Sequence, residues 1–209
     1  MSYAVKEMFL TLQGEGVNAG ARAVFVRFTG CNLWSGREAD RATAVCRFCD
    51  TDFVGTDGIG GGRFADAGAL VAAAVEHWGE GVERRFAVLT GGEPMLQVDG
   101  ALVAALHAAG FRVAIETNGT LRAHPDLDWV CVSPKAGSIV VQRTGDELKL
   151  VWPQSGIDPA ALETWAFTHH LVQPLDDPAA PGQAAALALA MERPRWRLSL
   201  QTHKLLGLR

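Results

Sequence analysis

Short apolar segments that alternate with helical ones constrain the fold of this chain more than any other feature. Strands are predicted at residues 22–28, 86–90, 111–117, 129–133, 147–152 and 168–173, with a possible last one at 195–201. Helices are predicted at residues 65–79, 96–109, 158–166 and 182–191. Such alternation favours a mainly parallel sheet covered by helices. The glycine-rich residues 55–63 are expected to form a flexible loop.

Most of these strands run into small or polar residues. The strand ends are Thr90-Gly91-Gly92, Glu116-Thr117-Asn118, Ser133-Pro134-Lys135 and Gln173-Pro174. Active sites of α/β barrels lie at this edge of the sheet, but a complete barrel has eight strands and typically ~250 residues. We therefore predict an α/β fold: a partial TIM-like barrel of about six parallel strands with reduced helices. It would form a single domain over residues 1–209.

The composition is that of an ordinary globular protein and excludes several classes of partner. Hydrophobic residues make up 48% and charged residues 20% of the chain, as in soluble domains. The net charge of −4 provides no basic field for nucleic acid. No segment approaches the ~20 apolar residues of a membrane span, and the N-terminus lacks the apolar core of a signal peptide. We expect a cytoplasmic protein that binds neither nucleic acid nor membrane.

Three of the four cysteines fall within one stretch: Cys31, Cys46 and Cys49, with gaps of 14 and two residues. In the cytoplasm thiols stay reduced, so clustered cysteines favour a metal or catalytic site over disulfides. A cubane iron–sulfur cluster normally takes four thiolates, and three would leave one iron open. Open coordination is typical of catalytic metal sites. Cys131 lies within a predicted strand and is expected to be a buried apolar residue.

Other interpretations of these residues stay open. A structural zinc site completed by a histidine would use the same cysteines, although zinc sites usually need two close pairs. Arg27 could bind a ligand or pair with Glu15 or another carboxylate, and Glu116 could bind a ligand or cap a neighbouring backbone group. His169 and His170 point to opposite faces of a strand and are interpreted as structural.

The cysteine set, with Phe48 before the third cysteine, and Gly91-Gly92-Glu93-Pro94 after a strand resemble the radical S-adenosylmethionine (SAM) enzymes. Most of those enzymes have Cys-x3-Cys-x2-Cys, so the gap of 14 residues is eleven longer here. This long gap, the short chain, Leu12-Gln13-Gly14-Glu15-Gly16 and Ser133-Pro134-Lys135 are similar to the 7-carboxy-7-deazaguanine synthase family. The similarity runs from about residue 6 to the C-terminus.

The resemblance implies a radical SAM carbon–nitrogen lyase of queuosine and 7-deazapurine biosynthesis. Such an enzyme removes hydrogen from C6 of 6-carboxy-5,6,7,8-tetrahydropterin, and ring contraction with loss of ammonia gives 7-carboxy-7-deazaguanine. The resemblance also implies a [4Fe-4S] cluster, SAM and Mg²⁺ as cofactors, a flavodoxin-type electron donor and a homodimer. An exposed sheet edge likewise favours a homodimer. The alternatives are a glycyl-radical-enzyme activase of the same superfamily and a non-catalytic zinc-binding module.

The resemblance also assigns site residues, by type and position. Cys31, Cys46 and Cys49 would bind the cluster, and Thr51, or Asp50 as second choice, the magnesium ion. Arg27 would grip the pterin carboxylate and is assigned a catalytic role together with Glu116. The cofactor-binding residues would be Phe48, Asp50, Gly91, Gly92, Glu93, Ser133, Pro134, Lys135, Gln173, Pro174, Leu175 and Asp176. The substrate-binding residues would be Leu12, Gln13, Gly14, Glu15, Arg27, Thr90, His203 and Arg209. Glu93 would either orient its loop or pair with the SAM ammonium.

Overall fold

A nine-stranded sheet runs through the computed structural model, which describes residues 2–176 and 182–208. Its strands are β1 (Tyr3–Leu12), β2 (Arg22–Phe28), β3 (Gly62–Phe64), β4 (Phe86–Gly91), β5 (Arg112–Thr117), β6 (Trp129–Val132), β7 (Thr144–Trp152), β8 (Ala166–Pro174) and β9 (Trp196–Leu198). Their spatial order is β3-β1-β2-β4-β5-β6-β7-β8-β9. From β2 to β9 all neighbours are parallel, whereas β1 is antiparallel to both β2 and β3.

Five α-helices lie in the described part of the chain, four between strands and the fifth after β9: α1 (Ala67–Trp78), α2 (Gly100–Ala108), α3 (Pro159–Leu162), α4 (Gly182–Glu192) and α5 (Thr202–Leu206). Side-chain caps fix where α1 and α2 begin, because a carboxylate satisfies a backbone N–H of the first turn. Asp66 accepts from Ala69 N at 2.9 Å and Asp99 from Leu102 N at 2.9 Å. The predicted helix at 96–109 therefore starts later, and a separate 3-10 turn forms at Pro94–Leu96.

Packing of the helices on one face of the sheet leaves the other face for the site. Leu70 of α1 and Leu102 of α2 are buried in one cluster with Val26 and Leu89 of the sheet. Leu189 of α4 is buried in a second cluster. Because side chains alternate along a strand, the residues between these apolar positions point to the opposite, inner face. The described chain is thus a mixed α/β fold with a largely parallel open sheet, as predicted, with seven parallel strands rather than six.

Two strands are not predicted by the sequence patterns. In β1 the pairing with β2 shifts between Val5 and Glu7, and such a bulge breaks the alternation that marks a strand. β3 begins within residues 55–63, which we expected to be a flexible loop. That stretch instead packs on β1, where Gly58 N donates to Lys6 O at 2.9 Å. None of the described helices has the length and apolar character needed to span a membrane.

Candidate active site

A cavity of about 650 Å³ opens on the inner face of the sheet, at the C-terminal ends of the parallel strands. Most residues predicted for the site line it: Leu12, Gln13, Gly14, Glu15, Arg27, Cys46, Phe48, Cys49, Asp50, Thr51, Thr90, Gly91, Gly92, Glu116, Ser133, Lys135, Gln173, Pro174, Leu175, Asp176 and His203. Cys31, Glu93 and Pro134 are not among the lining residues. Arg209 lies outside the described residues.

The cysteine loop after β2 forms one end of the cavity. Cys31, Cys46 and Cys49 are free thiols. A hydrogen bond from the Cys46 thiol lowers the pKa of Cys49 to about 6, whereas burial raises the pKa of Cys31. Arg41 holds the loop, because its Nη1 donates to Cys49 O at 3.1 Å and its guanidinium lies 4.1 Å from the Trp34 ring centre. The donor set of three soft thiols fits an iron–sulfur cluster.

The glycine pair after β4 lies against this cysteine loop. A Cβ atom on Gly91 would come within 2.3 Å of Phe28 O, and one on Gly92 within 2.7 Å of Cys31 Cβ. Only glycine fits such a close approach. The backbone at Gly92 therefore lies beside a predicted cluster ligand and faces the cavity.

Glu93 is fully buried and joins two strand ends. Its Oε1 accepts from Met95 N at 3.0 Å and Thr117 Oγ1 at 2.7 Å, and its Oε2 accepts from Asn118 N at 2.8 Å. Burial raises the pKa of this carboxyl group. Of the two roles expected for Glu93, this geometry supports the orientation of its loop, because protein donors enclose the carboxylate.

An ion cluster occupies the inner end of the cavity. Lys149 of β7 donates to Glu15 Oε2 at 2.5 Å and to Glu116 Oε2 at 2.6 Å. Gln13 Nε2 donates to the other oxygen of Glu116 at 3.0 Å, and Gln201 Nε2 to the other oxygen of Glu15 at 2.9 Å. Two predicted substrate-binding carboxylates are thereby held around one ammonium group.

Arg27 of β2 points into the same space and is paired with Glu7 of β1, not with Glu15. Its Nε donates to Glu7 Oε1 at 2.8 Å. The two residues are direct partners across the β1–β2 ladder. Phe9 and Phe25 stack beside them with ring centroids 5.7 Å apart, and both line the cavity. This wall combines a guanidinium with aromatic surface, which suits a flat, anionic ligand.

Helix α5 contributes His203 and Lys204 to the lining of the cavity. Thr202 donates to Gly14 O from its N at 2.8 Å and from its Oγ1 at 2.9 Å. Lys204 Nζ bridges Asp50 Oδ2 at 2.8 Å and Asp176 Oδ2 at 2.5 Å. Gly14 has no room for a side chain, because a Cβ atom there would overlap His203. The helix thus brings His203 to the cavity.

The residues after β6 and the end of β8 also line the cavity. Lys135 Nζ donates to Ser133 Oγ at 2.7 Å and lies 5.9 Å from the centre of the Phe48 ring. Burial lowers the pKa of Lys135. Pro134 turns its carbonyl oxygen away toward Gln154 Nε2, at 3.3 Å.

Within residues 2–176 and 182–208, no three or more His, Cys, Asp and Glu side chains are already arranged to hold a metal ion. Thr51 lines the cavity between two aspartates, Asp50 and Asp52. Its assignment to magnesium stays a prediction.

Sequence reasoning missed several residues that line the cavity: Lys6, Glu7, Phe9, Phe25, Asn118, Lys149, Val151, Gln201 and Lys204. A usable signal existed for one of them. Lys149 lies between Leu148 and Leu150 in an apolar strand, as Arg27 lies between Val26 and Phe28. A charged residue in such a strand indicates a polar interior.

Known proteins provide close relatives of this chain. A 7-carboxy-7-deazaguanine synthase of Bordetella pertussis is 58% identical over 209 residues and covers 100% of both chains. One of Bacteroides thetaiotaomicron is 38% identical over 210 residues, again with 100% of both chains covered. No protein-family model matches the chain.

A solved structure agrees with the fold. The crystal structure of QueE from Escherichia coli matches with a TM-score of 0.73 and 27% identity, covering 97% of this chain and 95% of that one. It confirms the predicted partial TIM-like barrel, because the likeness extends over nearly the whole of both chains. With relatives of this identity along its full length, the chain belongs to the 7-carboxy-7-deazaguanine synthase family.

Proposed function

We propose that this chain is a radical SAM enzyme of queuosine and 7-deazapurine biosynthesis. It converts 6-carboxy-5,6,7,8-tetrahydropterin into 7-carboxy-7-deazaguanine with loss of ammonia. The observation that carries the proposal is a single cavity with free cysteines at one end and a charged, hydrogen-bonding cluster at the other. The full-length 58% identity to a synthase of this name supports the same reaction.

Cys31, Cys46 and Cys49 are the residues that would hold the [4Fe-4S] cluster. When bound, the cluster and SAM supply the one-electron chemistry, and the protein supplies position and shielding. Gly92 lets the backbone approach closely, and Glu93 fixes the loop that carries it. The remaining residues proposed for the SAM wall are Phe48, Asp50, Gly91, Ser133, Pro134, Lys135, Gln173, Pro174, Leu175 and Asp176.

The opposite end of the cavity would bind the pterin. The Glu7 carboxylate holds Arg27 through Nε, so the terminal nitrogens of the guanidinium can grip the substrate carboxylate in a two-pronged contact. The amino-pyrimidinone edge presents N–H donors and a carbonyl oxygen. Gln13, Glu15, Glu116 and His203 supply complementary groups, and Leu12, Gly14, Thr90 and the carboxyl-terminal Arg209 complete the proposed set.

The remaining parts of the proposal concern the ion and the partners. Thr51 would bind a Mg²⁺ ion that contacts the substrate carboxylate, since a hydroxyl oxygen suits that hard cation. The edge strands β3 and β9 end the sheet, and unpaired edges favour pairing with a second copy in a homodimer. A flavodoxin-type protein would deliver the electron, and the enzyme would work in the cytoplasm.

Anaerobic reconstitution with iron and sulfide tests the function. We expect about four irons per chain and conversion of the carboxy-tetrahydropterin that requires SAM and dithionite and is stimulated by magnesium. Cys49→Ser should lose iron and turnover, whereas Cys131→Ala, with its cysteine away from the loop, should retain iron. Stoichiometric zinc with no pterin turnover would refute the proposal. Turnover without any protein partner would exclude a glycyl-radical activase.

A further inference from the structure

Lys149 is the central group of the inner cavity, and neither the sequence motifs nor the family resemblance assigns it a role. Its side chain is 4% exposed. Its ammonium group contacts Glu15 at 2.5 Å and Glu116 at 2.6 Å. The two carboxylates come from different elements, the loop after β1 and the strand β5. Lys149 therefore links two walls of the cavity.

Both carboxylates are held at two points, which fixes their orientation. Each uses one oxygen for Lys149 and the other for a glutamine amide, Gln201 for Glu15 and Gln13 for Glu116. Gln13 Oε1 also accepts from Glu15 N at 3.1 Å and so closes the ring. A carboxylate has about four acceptor sites, so these contacts leave acceptor capacity for a ligand in the cavity.

The charge balance of this ring depends on Lys149. Burial opposes the charge of Glu15, but the Lys149 ammonium, helped by Gln201 and His203, outweighs burial and brings the Glu15 pKa to about 2. Burial raises the pKa of Glu116, and Lys149 opposes that rise. The two carboxylates in turn raise the pKa of Lys149 against the effect of burial. The other titratable groups that act on the ring are Glu147, Cys131, Lys135 and His203.

We propose that Lys149 is a positioning residue of the pterin site: it holds the carboxylates of Glu15 and Glu116 at the spacing that accepts the N–H donors of the amino-pyrimidinone edge. This role rests on the proposed function. Lys149 itself is enclosed by its partners, so it acts through them rather than on the reacting atoms. A neutral residue would leave two carboxylates close together without a countercharge, and burial would then favour their protonated forms. A protonated carboxyl group offers a donor where the pterin edge needs an acceptor.

The test compares Lys149→Met and Lys149→Gln, which remove the charge, with Lys149→Arg, which keeps it. Arg193→Met is the control, because Arg193 pairs with the Glu163 carboxylate and neither residue lines this cavity. Reconstituted proteins with SAM are titrated calorimetrically with 6-carboxypterin, the oxidised pterin that has no hydrogen at C6. Iron content and SAM affinity are measured on the same samples, and KM and kcat are measured with the tetrahydropterin.

Loss of charge-assisted hydrogen bonds predicts about 10- to 100-fold weaker pterin binding for both neutral variants. KM should rise similarly, while iron content and SAM affinity change less than about threefold, a margin small on this energy scale. The acid limb of pterin binding should move to higher pH, because the charge that lowers the carboxyl pKa values is gone. Lys149→Arg should recover much of the affinity, and Arg193→Met should keep the wild-type affinity and pH profile.

Wild-type pterin affinity and pH profile in the neutral variants would overturn the role of Lys149. An arginine variant as weak as the methionine variant would also overturn it, since charge would then not be the cause. Loss of iron, SAM and pterin binding together in both neutral variants would make Lys149 structural and exclude the positioning role. If the wild-type enzyme neither binds 6-carboxypterin nor turns over the tetrahydropterin, the proposed function fails instead, and that outcome is seen before any variant is compared.

Discussion

Two lysines of one cavity each bridge two carboxylates, and their surroundings differ. Lys149 lies on a central strand of the sheet with its side chain 4% exposed, between Glu15 and Glu116. Lys204 lies on the short helix α5 with its side chain 38% exposed, between Asp50 and Asp176. The donor and acceptor types are the same. Burial and the rigidity of the supporting element are what distinguish the two clusters.

The contribution of an ion pair to the stability of this protein therefore depends on its burial. Ions near water are screened and gain little from pairing, whereas an uncompensated ion in the interior is costly. The cluster of Lys149, Glu15 and Glu116, the inner cluster, can therefore fix the geometry of a ligand site. The cluster of Lys204, Asp50 and Asp176, the outer cluster, holds helix α5 in place. This helix also contacts Gly14 through Thr202. Unfolding measurements on variants of each cluster test whether burial makes this difference.

The largest effect is expected for the stability of Lys149→Met. Removal of one partner from a buried ion cluster destabilises by about 3–5 kcal/mol, because the interior charges of Glu15 and Glu116 lose their cation. Urea unfolding of the cluster-free protein measures this loss. Lys149→Arg is the control and should retain much of the stability. A loss below about 1 kcal/mol, the range of exposed pairs, would remove the distinction between the two clusters.

The next effect is expected for Glu15→Gln, and it depends on pH. The folded pKa of Glu15 is about 2, against an ordinary value of 4.5, because Lys149, Gln201 and His203 together outweigh burial. A depressed carboxyl pKa contributes stability above the ordinary value and loses it as pH falls through the folded value. The variant should therefore be less stable by about 2 kcal/mol at pH 7.

Urea unfolding at a series of pH values checks this sign. The difference between wild type and Glu15→Gln should shrink as pH falls from 4.5 toward 2. Carboxyl groups outside this cluster titrate alike in both proteins, so the subtraction reports on Glu15 and on Glu116, whose pKa the Glu15 charge raises. A difference that stays constant over this range would show that the Glu15–Lys149 contact does not depend on the carboxylate charge.

An intermediate effect is expected for Glu93→Gln, since this buried carboxylate binds neutral donors instead of a cation. Glutamine keeps one acceptor oxygen but turns an amide group toward donors of the protein. The loss should be about 1–2 kcal/mol, with weaker SAM binding because the glycine loop is less well held. Glu76→Gln, at an exposed position of α1, is the control. Stability equal to wild type would show that the carboxylate charge is not needed there.

The sequence predicts the fold well where packing is periodic. Residues 22–28 and 65–79 carry apolar positions at strand and helix spacing, and β2 and α1 form there. β1 was not predicted as a strand, because its bulge interrupts the alternation of inward and outward side chains. The helix predicted at 158–166 shrinks to Pro159–Leu162, since Ala166 N already donates to Arg143 O beside β7. Local patterns thus predict that an element exists, but hydrogen bonds to other elements determine where it ends.

Much of the site was also predictable, because residues at strand ends and in motifs meet at one edge of a parallel sheet. The ion-pair partners were not predictable, because they depend on the register of the strands and on the curvature of the sheet. Glu7 meets Arg27 only through the β1–β2 pairing. Lys149 and Glu116 lie on strands separated by β6, and Cys131 is the small β6 residue paired in register with Glu116. No spacing along the chain encodes such a contact.

The smallest effect is expected for Lys204→Met. Its two ion pairs are exposed, so their removal should cost about 0–1 kcal/mol. Urea unfolding at low salt and at ~1 M potassium chloride separates the contributions, because salt of that concentration screens exposed charges over about 3 Å. The difference from wild type should vanish at high salt, whereas the loss for Lys149→Met should persist. A loss of stability above about 2 kcal/mol for Lys204→Met that persists at high salt would contradict this expectation. Exposed ion pairs would then stabilise the protein as much as the buried pairs of Lys149, and burial would not explain the difference between the two clusters.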